Sequence, residues 1–182
     1  MSQAHKVTAI VGSTSSPSRT RVLVDAIVAS LQASQPVEVT WVELATLAPH
    51  IGVATSHDTL SAEGKAALQA IEGADLLIAA SPVYKGSYTG LFKHLIDFIH
   101  PEALVGKPTL LAATGGSDRH ALVVDQELRP LFSFFRTLTV PSAVFASDAD
   151  FGAATEGYQV KSDALFTRIH EATQQASHLL AA

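Results

Sequence analysis

The sequence predicts an α/β fold: a doubly wound, five-stranded parallel sheet in the order 2-1-3-4-5, with helices on both faces. Three observations lead there. Short apolar runs alternate with longer stretches of helical spacing, the signature of βαβ units. Several of those runs are apolar at nearly every position, as strands covered on both faces must be. Right-handed crossovers between parallel strands then leave few arrangements for five such units.

The first run, residues 6–12 (KVTAIVG), is partly β-branched and ends on Gly. The second, residues 37–44, alternates Val37, Val39 and Trp41 with polar partners, as a strand with one partly wet face does. Residues 74–83 (ADLLIAASPV) and 108–114 (PTLLAAT) are continuous apolar runs. The fifth, residues 139–145 (TVPSAVF), carries Pro141, which suits a sheet edge because Pro cannot donate to the ladder. Between them, Val24, Ile27, Val28 and Leu31 recur at three and four within a helix over 20–34. Leu91, Phe92, Leu95, Ile96 and Ile99 do the same over 88–100, and residues 60–71, 120–137 and 160–181 complete the helices. With no internal repeat, low-complexity tract or linker, one domain over 1–182 is expected.

Composition narrows the function. Twelve Lys+Arg against seventeen Asp+Glu give a net charge of −5 without a basic block, which argues against nucleic acid and anionic membranes as partners. The absence of Cys removes disulfides, thiolate nucleophiles and Cys-ligated metals. None of the eight His residues falls in an H-E-x-x-H or comparable ligand spacing, so no metal site is expected. The N-terminus lacks the pattern of a signal peptide and no apolar run approaches the ~20 residues of a membrane span, so a cytoplasmic location is expected.

In an open parallel sheet, ligands bind beyond the carboxyl ends of the strands near the switch in strand order. The loops after runs one, three and four are also the most unusual segments of the chain. Residues 12–20 (GSTSSPSRT) form neither G-x-G-x-x-G nor a P-loop. They do offer many hydroxyls, with Arg19 and Arg21, at the start of a helix, where unpaired amides and the dipole stabilise a phosphate dianion. A solvated turn capped by Ser18 or Thr20 accounts for the same residues. Residues 81–90 (SPVYKGSYTG) present an apolar edge at Pro82, Val83 and Tyr84 with main-chain N–H groups nearby, suited to a flat heteroaromatic ring. An ordinary loop with Tyr84 or Tyr88 on the surface is the alternative. Thr114-Gly115-Gly116-Ser117 lets backbone approach a ligand closely, as would a bare turn. No G-x-S-x-G elbow is present, and acid–base or nucleophilic candidates are scarce here. Hydride transfer needs neither, since the cofactor carries the chemistry.

Gly12-Ser13 with Ser18-Arg19-Thr20, the stretch SPVYKGSYTGLFKHLIDF (81–98) and ATGGSDRH (113–120) resemble the NADPH-dependent FMN reductase family, a flavodoxin-like group. The likeness is strongest to reductases feeding two-component alkanesulfonate and methanesulfonate monooxygenases. It implies that Ser13, Ser18, Arg19 and Thr20 take the FMN phosphate. Pro82, Val83, Tyr84 and Lys85 would line the isoalloxazine, with Thr114, Gly115, Gly116 and Ser117 at its pyrimidine side. NADPH, or NADH, would deliver hydride to FMN N5, and reduced FMN would pass to an FMNH2-dependent monooxygenase in organosulfur use. A reductase of quinones, azo dyes or chromate that retains its FMN, and a flavodoxin-type carrier, are the alternatives. Lys93 and Asp97 match the family's K-x-x-x-D helix and read as an i,i+4 pair.

Relatives in sulfonate systems resemble one another in a widened helical turn after the Gly-Gly loop, where an aromatic or His occupies the inserted position; here that position is Gln126. Residues 120–138 are apolar on more than one face, and Pro130 should kink the helix or mark its irregular turn. The surplus apolar face predicts a homo-oligomer, a dimer or tetramer, joined through this helix.

Overall fold

The computed structural model describes residues 4–181. In chain order the elements are β1 (His5–Val11), α1 (Arg19–Gln32), β2 (Val37–Glu43), α2 (Leu44–Ile51), α3 (Ala62–Glu72), β3 (Leu76–Pro82), α4 (Gly90–Ile96) and β4 (Pro108–Gly115). A π-helical turn (Val124–Leu128) runs into α5 (Arg129–Phe134), followed by β5 (Leu138–Thr139), β6 (Val144–Ser147) and a 3-10 turn (Asp148–Asp150). The hairpin β7 (Phe151–Ala154) and β8 (Gly157–Val160) leads into α6 (Asp163–Ala181).

The main sheet is parallel throughout, in the order β2-β1-β3-β4, with β5 and β6 both on the outer side of β4. This is the flavodoxin-like 2-1-3-4-5 order. The pleat sends alternate residues of the central strands into two cores. Leu77 and Ala79 of β3 join Phe92, Leu95, Leu128 and Phe132 on one face. Leu76, Ile78 and Ala80 join Leu23, Ile27, Ile169 and Ala172 on the other. Helices α1 and α6 therefore cover one face, and α2 to α5 the other.

The fifth strand departs from the sequence expectation. Thr109 pairs with Thr139 and Ala112 with Val144, so five positions on the outer strand answer three on β4. The ladder breaks where Pro141 has no N–H to give, and resumes two residues out of register. An even slip keeps side chains on their faces, and Val140 and Val144 are both fully buried in the same core.

Two elements have no counterpart in the sequence pattern. Helix α2 holds Pro49, lacks a side-chain cap and follows β2 without a break; burial of Leu44, Leu47 and Ile51 fixes it. The β7–β8 hairpin is built mostly of small or polar residues, and its antiparallel pairing carries no strong local signal. The helix expected over 88–100 is regular only through Gly90–Ile96. The segment 120–137 is split as its Pro suggested: Pro130 stands in the first turn of α5, directly after the π-helical turn.

Candidate active site

The carboxyl ends of β1, β3 and β4 open onto one cavity of about 320 Å3, within the range of small-molecule sites (~300–1,000 Å3). It is lined by Ser13, Ser15, Pro17, Ser18, Arg19 and Thr20 of the first loop, Pro82, Val83 and Tyr84 of the second, and Thr114, Gly115 and Gly116 of the third, with Asp148 and Tyr158 against Arg19. The three loops singled out in the sequence thus meet.

The first loop leaves β1 through Gly12, where a Cβ would lie 2.9 Å from both the Ala80 carbonyl oxygen and the Phe92 ring. Ser13 Oγ accepts the Ser15 amide at 3.2 Å and shapes the turn. Ser18 caps α1, its Oγ accepting the Arg21 amide at 3.3 Å. The amides of Arg19 and Thr20 begin the helix and have no intrahelical acceptor. Arg19 adds a buried Nε that finds no partner among the described residues. Its guanidinium lies 4.2 Å over the Tyr158 ring, with Nη1 3.4 Å from Asp148 Oδ1. On a cation whose Nη1 already faces Asp148, a buried Nε without an acceptor, beside helix amides that lack intrahelical partners, fits a phosphate monoester.

Arg21, by contrast, turns away from the cavity. Its Nε donates to Asp25 at 3.0 Å, its Nη1 to Glu43, and it stacks 3.8 Å over Trp41, tying α1 to the edge strand. It contributes charge only at a distance, so the field expected from it at the phosphate end is reduced.

The second loop is a tight turn. Tyr84 N–H donates to the Ser87 carbonyl at 2.9 Å and Ser87 N–H to that of Tyr84 at 3.2 Å. Lys85 and Gly86 both have positive φ, 55° and 90°, the requirement of a type I′ turn. Val83 N–H donates to the Thr114 carbonyl at 2.7 Å. Of the main-chain N–H groups near this apolar edge, those of Val83 and Tyr84 are therefore engaged within the protein, while those of Lys85 and Gly86 have no partner among the described residues. Lys85 is exposed at the turn and, with Ser117, stands outside the cavity lining.

Buried hydroxyls stitch the loops together. Thr20 and Thr114 share a hydrogen bond of 2.7 Å between α1 and the end of β4. Thr89 caps α4: its hydroxyl accepts the Phe92 amide at 3.2 Å and donates to the Gly12 carbonyl at 3.0 Å. Its own N–H donates to Ser81 Oγ at 3.1 Å. A Cβ on Gly115 would lie 3.0 Å from the Phe145 ring, whereas one on Gly116 would meet open space. Gly115 thus packs tightly against the Phe145 ring, and Gly116 leaves room for a ligand. Lys93 and Asp97 form their i,i+4 pair and do not line the cavity.

Asp148 and Tyr158 were not legible as site residues. The hairpin reaches the first loop because Gly157, at φ 95°, packs against Pro17, where a Cβ would lie 2.7 Å from Pro17 Cβ. The turn at Thr155-Glu156-Gly157 was the sole local signal for it.

The chain is similar to known proteins along nearly its whole length. An NADH-dependent FMN reductase SfnF of Pseudomonas fluorescens is 52% identical over 179 residues, covering 98% of this chain and 94% of that protein. An FMN reductase (NADPH) of Pseudomonas aeruginosa is 48% identical over the same shares. The crystal structure of an oxidoreductase from Corynebacterium diphtheriae superposes with a TM-score of 0.88 at 36% identity, covering 99% of this chain and 98% of that one. The family described as NADPH-dependent FMN reductase matches residues 5–152, from the first strand into the hairpin that completes the cavity. The chain belongs to the NADPH-dependent FMN reductase family.

Proposed function

We propose that this chain, working as one domain over residues 1–182 in the cytoplasm, reduces FMN with NADPH or NADH and delivers reduced FMN to a partner monooxygenase of organosulfur (sulfonate) use. The observation that carries the reading is the buried, unpartnered Arg19 Nε beside free helix amides, in a cavity also lined by Pro82, Val83 and Tyr84. Ser13, Ser18, Arg19 and Thr20 hold the phosphate. Pro82, Val83 and Tyr84 border one edge of the ring, and Thr114, Gly115 and Gly116 the other, with Lys85 and Ser117 flanking them just beyond the cavity lining. Bound there, FMN supplies the hydride-accepting ring. The chain's own part is positional: the hydroxyls at Thr20, Thr89 and Thr114 hold three loops in fixed relation, so the open mouth admits a nicotinamide against the ring without a protein acid or base.

Leu122, Phe134 and Leu138 stand exposed at 61%, 67% and 49% around the π-helical turn and α5. A second copy of the chain covers them in a dimer or tetramer. Gln126 is exposed on the same turn, where it offers an amide in place of a stacking ring.

Oxidation of NADPH and NADH by purified protein, with FMN, FAD or riboflavin supplied, tests the reading. Turnover should require flavin, with FMN behaving as a varied substrate. Absence of FMN-dependent turnover with both nicotinamides removes it.

A further inference from the structure

We infer that Asp148 is a counter-charge built into the phosphate end of the cavity, which speeds the release of a flavin monophosphate and keeps it an exchangeable substrate. This rests on the FMN-reductase reading above.

The carboxylate and Arg19 line the same cavity, with Asp148 Oδ1 3.4 Å from Arg19 Nη1. The backbone of one and the ring beneath the other hold them close. Ser147 and Asp150 form a reciprocal cap around the 3-10 turn, Ser147 N–H donating to Asp150 Oδ2 at 2.8 Å, which fixes the backbone that carries Asp148. The Tyr158 ring under Arg19 limits the swing of the guanidinium. In the free protein, Arg19 thus already faces a carboxylate of the chain.

A phosphate dianion arriving at Arg19 meets two costs. It must share or displace the Arg19–Asp148 contact, and it must sit near a fixed negative charge. Both costs fall on the bound anion and neither on an uncharged ligand. Since the two side chains are 36% and 50% exposed, water screens much of this repulsion, and the effect is a modest one. A carboxylate at an anion site lowers affinity, which a permanent cofactor site has no reason to keep. For a nucleotide that must leave after each turnover, faster release is the gain.

The opposite role, Asp148 positioning Arg19 for the phosphate, predicts the opposite sign, so one measurement separates them. Dissociation constants and release rates of FMN and riboflavin are measured for the natural protein and for Asp148→Asn. The substitution should tighten FMN by about three- to tenfold, mostly through slower release, and leave riboflavin unchanged. Asp148→Ser, a residue suited to the start of a helical turn, should do the same and guards against a folding fault peculiar to the amide. FMN affinity that is unchanged or weaker in both variants overturns the inference. Arg19→Gln serves as the separate control: it should weaken FMN and spare riboflavin. If Arg19→Gln leaves FMN affinity as it was, the phosphate-site reading itself fails, whatever Asp148 does.

Discussion

The hydroxyl of Ser87 donates to Glu127 Oε2 at 2.8 Å, tying the turn at the cavity rim to the π-helical turn forty residues later. Ser87 also closes the type I′ turn that carries Tyr84. The extra residue in a π-turn changes the helical phase of the residues after it, and here Glu127 lies within reach of that rim. The helix that presents an exposed apolar face is thereby joined to the wall of the ligand cavity.

Loss of that bond should loosen the rim. Glu127→Ala is expected to raise the KM for FMN by about two- to tenfold, the value of one partly buried hydrogen bond, with kcat changed much less. Glu127→Gln retains an acceptor oxygen and should stay near the natural value. Steady-state kinetics decide it; an unaltered KM in Glu127→Ala would show that the bond positions nothing.

The Thr20–Thr114 hydroxyl pair, buried on both sides, should behave as a coupled unit. Thr114→Val leaves the Thr20 hydroxyl buried without its partner and should cost about 1–3 kcal/mol in urea unfolding. Thr20→Val/Thr114→Val should cost less than the sum of the single changes, because no orphaned hydroxyl remains. Strict additivity would contradict the pairing.

Phe134→Glu places a charge in the middle of the apolar face on α5. Sedimentation velocity should show a smaller species than the natural protein at equal concentration, with far-UV circular dichroism preserved. A monomeric natural protein, or an assembly indifferent to the change, would mean that another surface is used.

Lys107 gives a pH dependence of known sign. Half-buried, its Nζ donates to the carbonyls of Glu72, at 3.1 Å, and Ala74, past the end of α3. Burial pushes its pKa below the ordinary 10.5. The folded chain then releases this proton before the unfolded chain does, so the cost of the buried charge is fully present below the folded value. It is relieved as pH rises toward 10.5. In chemical unfolding, as pH rises toward 10.5, the natural protein should gain stability relative to Lys107→Met. A flat difference across that window would refute the shift.

Much of the fold was legible because its signals are local. Continuous apolar runs and three-four spacing reflect which faces must be buried, and they located β1, β3, β4, α1 and α3 closely. Where local signals were poor, tertiary contact decided. Leu44, Leu47 and Ile51 hold α2 helical despite Pro49. Pro141 identified an edge, but only the pairing with β4 shows that the strand breaks and resumes two residues on.

The site divides the same way. Residue type and position after each strand determined that the loops at 12–20, 81–90 and 114–117 would converge, because parallel strands must end on one side of the sheet. Which groups remain free at that edge was a question for the folded chain. Arg19 faces the cavity while Arg21 pairs with Asp25 and Glu43, and the Val83 and Tyr84 amides are consumed internally. Asp148 and Tyr158 enter from an edge turn and a hairpin more than a hundred residues from Arg19. Sequence spacing encodes the period of a strand or helix, but the direction of a polar side chain depends on which partners packing brings within reach.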